Sequence, residues 1–227
     1  MKKIFYPNGK FMLGLLTSFV ILFTSCYSSF TAQSAKTLER GKVAGGFALG
    51  AYRVQTDYFD SQRSTSNNEY SEAIPMFPVG LLRVGVLDDL DFNLQTNLIT
   101  NTTLGLKYQL VKNTEGSNFS MGLNAGAIHF LYVPIFSTFE FPFYYSYHTK
   151  ENHSIYACYA PGWIENIYRQ SGCLGVSFKI SKERESYMFF EVKNSTVGKS
   201  ISFGGAKSEG IDMKYLLYGF GFTFGGF

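Results

Sequence analysis

Three histidines, three cysteines and a single histidine–serine neighbour are the side chains of this 227-residue chain with the most obvious chemistry. The neighbour is His153-Ser154. A serine nucleophile needs its base within hydrogen-bond reach, whereas adjacent strand residues point to opposite faces. The pair therefore reads as part of a solvated turn. His148 and His153 flank Glu151, and metal ligands can come from such a turn. Three polar residues in a hairpin turn usually face water, so no metal is expected. His129 reads as a strand residue near a rim. The glycines of Gly219–Gly225 have the density of a phosphate loop but lack its lysine and following helix. A glycine-lined strand is the better reading, and neither a catalytic residue nor a cofactor is expected.

Cys158 and Cys173 bracket the stretch 159–172. If two strands pair about the centre of that stretch, the thiols face each other. A disulfide and two small residues on a sheet are both open readings. Trp163 and Tyr168 lie between them. They are candidates for ligand binding from a loop at 161–171, or for an aromatic belt at a membrane interface.

The elements that must position these residues have a period of two. Leu90, Phe92 and Leu94 alternate with Asp91, Asn93 and Gln95, and Leu104, Leu106, Tyr108 and Leu110 alternate with Gly105, Lys107 and Gln109. Phe139, Phe141, Phe143, Tyr145 and Tyr147 repeat the pattern, as do Leu174, Val176, Phe178 and Ile180. About ten strands follow, eight being possible: 42–55, 74–87, 90–98, 103–111, 119–131, 136–147, 154–160, 172–181, 186–193 and 213–226. Tight connections fall at 88–89, 149–153 and 182–185, and the longest at 56–73, 161–171 and 194–212. Short turns on one rim and long loops on the other are the asymmetry of a transmembrane antiparallel up-and-down barrel. An even strand count returns the C-terminus to the side of the N-terminus, the periplasmic side.

Residues 1–25 contain Lys2, Lys3 and Lys10 but no acidic residue, and they include the apolar run Phe11–Phe23. That run is too short to span a bilayer as a helix, which takes about 20 residues. It fits the core of a secretory signal peptide. Beyond it the chain carries 17 basic and 17 acidic residues, so the net charge gives no argument for nucleic-acid binding. Thr24-Ser25-Cys26 resembles the lipobox of bacterial lipoproteins, which implies lipidation of Cys26; ordinary signal cleavage is the alternative. Residues 26–40 read as a periplasmic linker, and 41–227 as the barrel.

Alternation alone leaves open which face looks inward. A soluble lipocalin-like barrel is apolar inside, while a membrane barrel is apolar outside. The polar faces are rich in glycine, with isolated charges at Arg83, Lys107, Glu140, Lys179 and Glu191. Such residues suit a tight lumen in which opposite charges pair, and the membrane reading is preferred. In the last strand, Leu216, Tyr218, Phe220, Phe222 and Phe224 form the lipid-facing stripe, leaving Phe227 on the glycine face. Two expectations follow for the end: a flexible overhang after Phe224, or a bulge that restores register.

Arg83, Gly85, Asp88, Leu90 and Asp91 resemble the Arg-x-Gly-x-x-Asp-x-Leu-Asp/Glu hairpin of small bacterial outer-membrane β-barrel proteins. Thr37, Leu38, Gly41 and Lys42 have the look of that family's entry to its first strand. The resemblance implies bacterial outer-membrane location, lipid contact and insertion by the barrel assembly machinery. It implies no activity. A barrel this narrow is mostly filled by side chains, so the leading expectation is a non-enzymatic outer-membrane lipoprotein, structural or surface-binding through extracellular loops, with the ligand unknown. A narrow small-solute channel and a barrel enzyme that modifies lipid A acyl chains are the alternatives.

Overall fold

The computed structural model describes residues 30–57, 72–97, 100–113, 115–130, 133–149, 153–181, 183, 185–200 and 212–227. The expected signal peptide, Cys26, Glu151 and most of the connections 56–73 and 194–212 lie outside the described residues.

Eleven strands follow in order: β1 (Val43–Asp57), β2 (Ile74–Leu87), β3 (Leu90–Asn97), β4 (Asn101–Val111), β5 (Gly116–Phe130), β6 (Val133–Glu140), β7 (Phe143–His148), β8 (Ser154–Ile164), β9 (Ile167–Ser181), β10 (Ser186–Ser200) and β11 (Asp212–Phe224). No helix occurs among the described residues. Each strand pairs antiparallel with its neighbours, and β1 closes the sheet on β11 from Gly45↔Phe224 to Asp57↔Asp212. The elements make a closed barrel of ten staves, because β6 and β7 are two halves of one stave against β5 and β8. The break at Phe141-Pro142 has a local cause: proline has no N–H for the ladder. The single strand expected over 136–147 is therefore divided, although both halves keep their place.

Parity along the strands separates two environments. Leu104, Leu106, Tyr108, Phe143, Tyr145, Leu174, Phe190 and Phe224 are exposed on the outer wall. Asp91, Asn93, Lys107, Ser146, Ser177, Glu191 and Ser195 are buried on the inner one. Large exposed apolar patches are avoided by soluble monomers, and a lipocalin would have the opposite polarity. This barrel is apolar outside and polar within, as a bilayer-spanning barrel must be.

Three expectations are corrected. The loop at 161–171 is a continuation of the sheet, with β8 and β9 running on to a turn at Glu165-Asn166 and pairing as far as Ile164↔Ile167. Trp163 and Tyr168 are therefore register partners on strands. The stretch expected as a linker does not hang free, since residues 30–35 and Leu38 are buried inside the barrel. Polar inner-wall groups supply partners for the amides of Thr31, Ala32, Ala35, Thr37 and Leu38 and the carbonyls of Thr31, Ser34 and Lys36, in place of a strand ladder. At the other end Phe227 is neither a free overhang nor restored to the outer stripe. Gly225 (φ 86°) and Gly226 (φ 136°) adopt conformations that favour glycine, and the chain turns inward. The Phe227 ring then packs 5.2 Å from Tyr156 and 5.7 Å from Phe189.

Candidate functional site

The rim bearing the turns at 88–89, 112–115, 149–153 and 182–185 is called lower; the opposite rim is upper. Residues 30–38 occupy the lumen from mid-height down to the lower rim. At the top of this segment the Phe30 ring fills a notch that two glycines leave. A Cβ on Gly50 would lie 2.5 Å from Phe30 Cζ, and one on Gly219 would lie 2.4 Å from it. Gly50 and Gly219 are register partners between β1 and β11. Gly221 has a different reason for being small, because the Phe189 ring takes its space.

Below the notch, the inner wall holds the segment by its backbone. Glu191 accepts from the amides of Thr31 (2.6 Å) and Ala32 (2.8 Å), one on each carboxylate oxygen. Tyr156 also donates its hydroxyl to Glu191. Gln95 donates to the Thr31 carbonyl, and Lys107 Nζ donates to the carbonyls of Ser34 and Lys36. Arg83 donates to the Lys36 carbonyl as well. Asp91 accepts the Leu38 amide, and Gln109 Oε1 accepts both the amide and the hydroxyl of Thr37.

Arg83, Asp91 and Lys107 form one buried cluster. Arg83 Nη2 lies 2.6 Å from Asp91 Oδ2, and Lys107 Nζ lies 3.5 Å from the same atom. One carboxylate between two cations leaves surplus donors, and the segment's carbonyls take them. Gly85 lets the chain pass, since a Cβ there would lie 2.2 Å from the Glu39 carbonyl oxygen. The amide of Gly41 donates to Gly85 O, and that of Gly85 to Lys42 O. The two sequence motifs, Thr37–Lys42 and Arg83–Asp91, are thus halves of one contact.

The remaining predicted residues sort by height. Glu140 meets Arg169 in the upper lumen, and Arg169 Nε donates to Ser195 Oγ at 2.8 Å. Lys179 is half-buried on the lumen side of β9 near the lower rim. Cys158 and Cys173 are register partners, as the pairing argument expected, and both are buried free thiols. Trp163 packs 6.0 Å from Tyr168 and 6.3 Å from Phe141 on the outer wall, so they belong to an aromatic cluster on the wall rather than a loop.

His153 lies against Phe178, 5.7 Å between ring centroids, and does not meet Ser154. Ser154 instead shares a hydrogen bond with Ser177. The serine–histidine pair that strand geometry does assemble is Ser146 and His148, with Oγ and Nε2 2.9 Å apart. It went unnoticed in the sequence, although two residues apart on a strand is the spacing that shares a face. The Ala35 amide donates to the same Ser146 oxygen, which closes the pair off beneath the segment. Arg169 was missed because its stretch read as a loop. Phe30 was missed because no periodicity surrounds it.

No protein-family model matches the chain, and no curated protein matches it significantly. Similar solved structures include the outer-membrane protease OmpT from Escherichia coli, with TM-score 0.49 and 8% identity over 88% of this chain and 99% of that one. AlkL, solved in DMPC lipid bilayers, gives 0.37 at 8% identity over 87% and 95%. Ail, the attachment invasion locus protein of Yersinia pestis, gives 0.29 at 8% identity over 82% and 99%.

Proposed function

We propose that this chain is a bacterial outer-membrane β-barrel whose own N-terminal segment keeps its lumen shut, and that it acts without catalysis, as a structural or surface-binding protein. The observation that carries this reading is the seating of Phe30–Leu38 inside the barrel, clasped by Glu191, Lys107, Arg83 and Asp91. A lumen so occupied leaves little room for a standing aqueous path. The Ser146–His148 pair lies under the same segment, which argues against a resident hydrolase.

Membrane residence is supported by the apolar outer wall and by strand lengths of 11–15 residues in β1, β2, β4, β5 and β8–β11, against the 9–11 that a spanning strand needs. A shallow outer groove lined by Ile155, Leu174, Val176, Phe190, Val192 and Phe220 is suited to acyl chains. In this reading the short turns and both ends of the barrel face the periplasm, and the upper rim faces outward and carries the binding function. Lipidation of Cys26 and assembly by the barrel machinery belong to the same proposal.

Planar-bilayer recording on the refolded protein tests it. The expected result is no standing conductance, with an externally added amine label reaching Lys207, in the upper-rim connection 201–211, in intact cells. A steady open channel would replace this reading with the small-solute conduit.

A further inference from the structure

The clasping groups of the inner wall go mainly to main-chain atoms of residues 31–38; among side chains of the segment, the Thr37 hydroxyl meets Gln109 and the Asp88 carbonyl, and the Ser34 hydroxyl donates to the Phe227 carbonyl. Ala32, Ser34 and Ala35 are small, and the buried Gln33 Oε1 has no hydrogen-bond partner. The segment belongs to no strand pairing, so its departure would break no ladder of the sheet. Its clasps on the wall are largely charged, and water readily replaces a peptide group around an ionised side chain. One feature of the segment is specific: the Phe30 ring in the notch over Gly50 and Gly219.

We propose that the lower lumen is a peptide-binding cradle and that Phe30–Leu38 is its tethered, displaceable ligand. The cradle takes an extended peptide, reads it through backbone amides and carbonyls, and fixes its register with one aromatic side chain. This rests on the closed-lumen reading and adds that the closure is an exchangeable non-covalent complex. Glu191 is the amide clamp, Lys107 and Arg83 are the carbonyl clamp, and the paired glycines are the aromatic socket.

The test uses the full chain with a site-specific protease sequence inserted between Arg40 and Gly41, which lie exposed at the lower rim. The protein is folded intact, cut, and offered a fluorescent peptide spanning residues 30–38, with anisotropy and size exclusion as readouts. The labelled peptide should exchange into the cut barrel. A Phe30→Ala peptide should bind at least about tenfold more weakly, whereas a Gln33→Ala peptide should stay within about threefold. In the barrel, Gly219→Leu and the isosteric Glu191→Gln should each weaken binding about tenfold or more. Heat-modifiable gel migration confirms folding, and Glu191→Gln carries the test should Gly219→Leu fail to fold. A cut barrel that takes up no peptide overturns the proposal, as does equal binding of the Phe30→Ala peptide. The closed-lumen reading fails on a different result, conductance by the uncut protein.

Discussion

The lower and upper halves of the lumen use the same kinds of charged residue for different ends. In the lower half, Arg83, Lys107 and Glu191 direct hydrogen bonds at the backbone of another segment. In the upper half, Arg169 turns to Glu140 and Ser195, both on the wall itself. A buried charge needs a partner wherever it sits. What differs is whether that partner is stave or passenger. The upper pair braces the wall, whereas the lower cluster is complete only with the segment in place.

Breaking the lower cluster should have the largest effect. Asp91→Ala leaves Arg83 and Lys107 buried around no carboxylate and removes the acceptor of the Leu38 amide. A loss of about 3–5 kcal/mol is expected, read as a lowered urea midpoint in detergent micelles with unchanged slope. Glu140→Gln should cost less, about 1–3 kcal/mol, because its side chain is 14% exposed and Arg169 keeps Ser195. This variant sharpens the contrast. It should leave the alkylation rate of a cysteine placed at Ser34 unchanged, whereas Glu191→Gln should raise that rate severalfold. Similar rates in both variants would erase the distinction between the halves.

The smallest effect lies at the upper turn. Glu165 accepts from the Ser137 amide and then the Ser137 hydroxyl, which together hold its carboxyl below the usual carboxylate range. A depressed folded-state value stabilises the turn above the ordinary carboxylate pKa, and that contribution disappears as pH falls through the depressed one. The protection factor of the Ser137 amide, its exchange rate relative to an unstructured amide at the same pH, should therefore fall only in acid, while the lower cluster's protection of Leu38 stays intact.

The fold was largely legible because a period of two, repeated over ten staves, is a strong physical signal. Its polarity could be read from the small and charged residues opposite the aromatics. The site was less legible. Arg83, Lys107 and Glu191 are visible as polar lumen residues, but nothing local says that they bind a chain segment. Residues 30–38 have no period because side chains of the wall, rather than a neighbouring strand, supply most of their backbone partners. Gly219 is visible as part of a glycine-lined strand, yet the ring that fills its notch is 189 positions away, outside any strand pairing. The end at Phe227 was misjudged for a related reason: two glycines with positive φ let the chain reverse, which alternation cannot register.

The most direct test is a crosslink. Ala35 N lies 3.1 Å from Ser146 Oγ, so Ala35→Cys and Ser146→Cys, with Cys158 and Cys173 replaced by serine, should form an intramolecular disulfide in the folded, membrane-inserted protein. The pair should close readily under mild oxidation and block alkylation of both introduced thiols. Free alkylation of those two thiols in the folded barrel, with no crosslinked species, would show that the segment does not occupy the lumen.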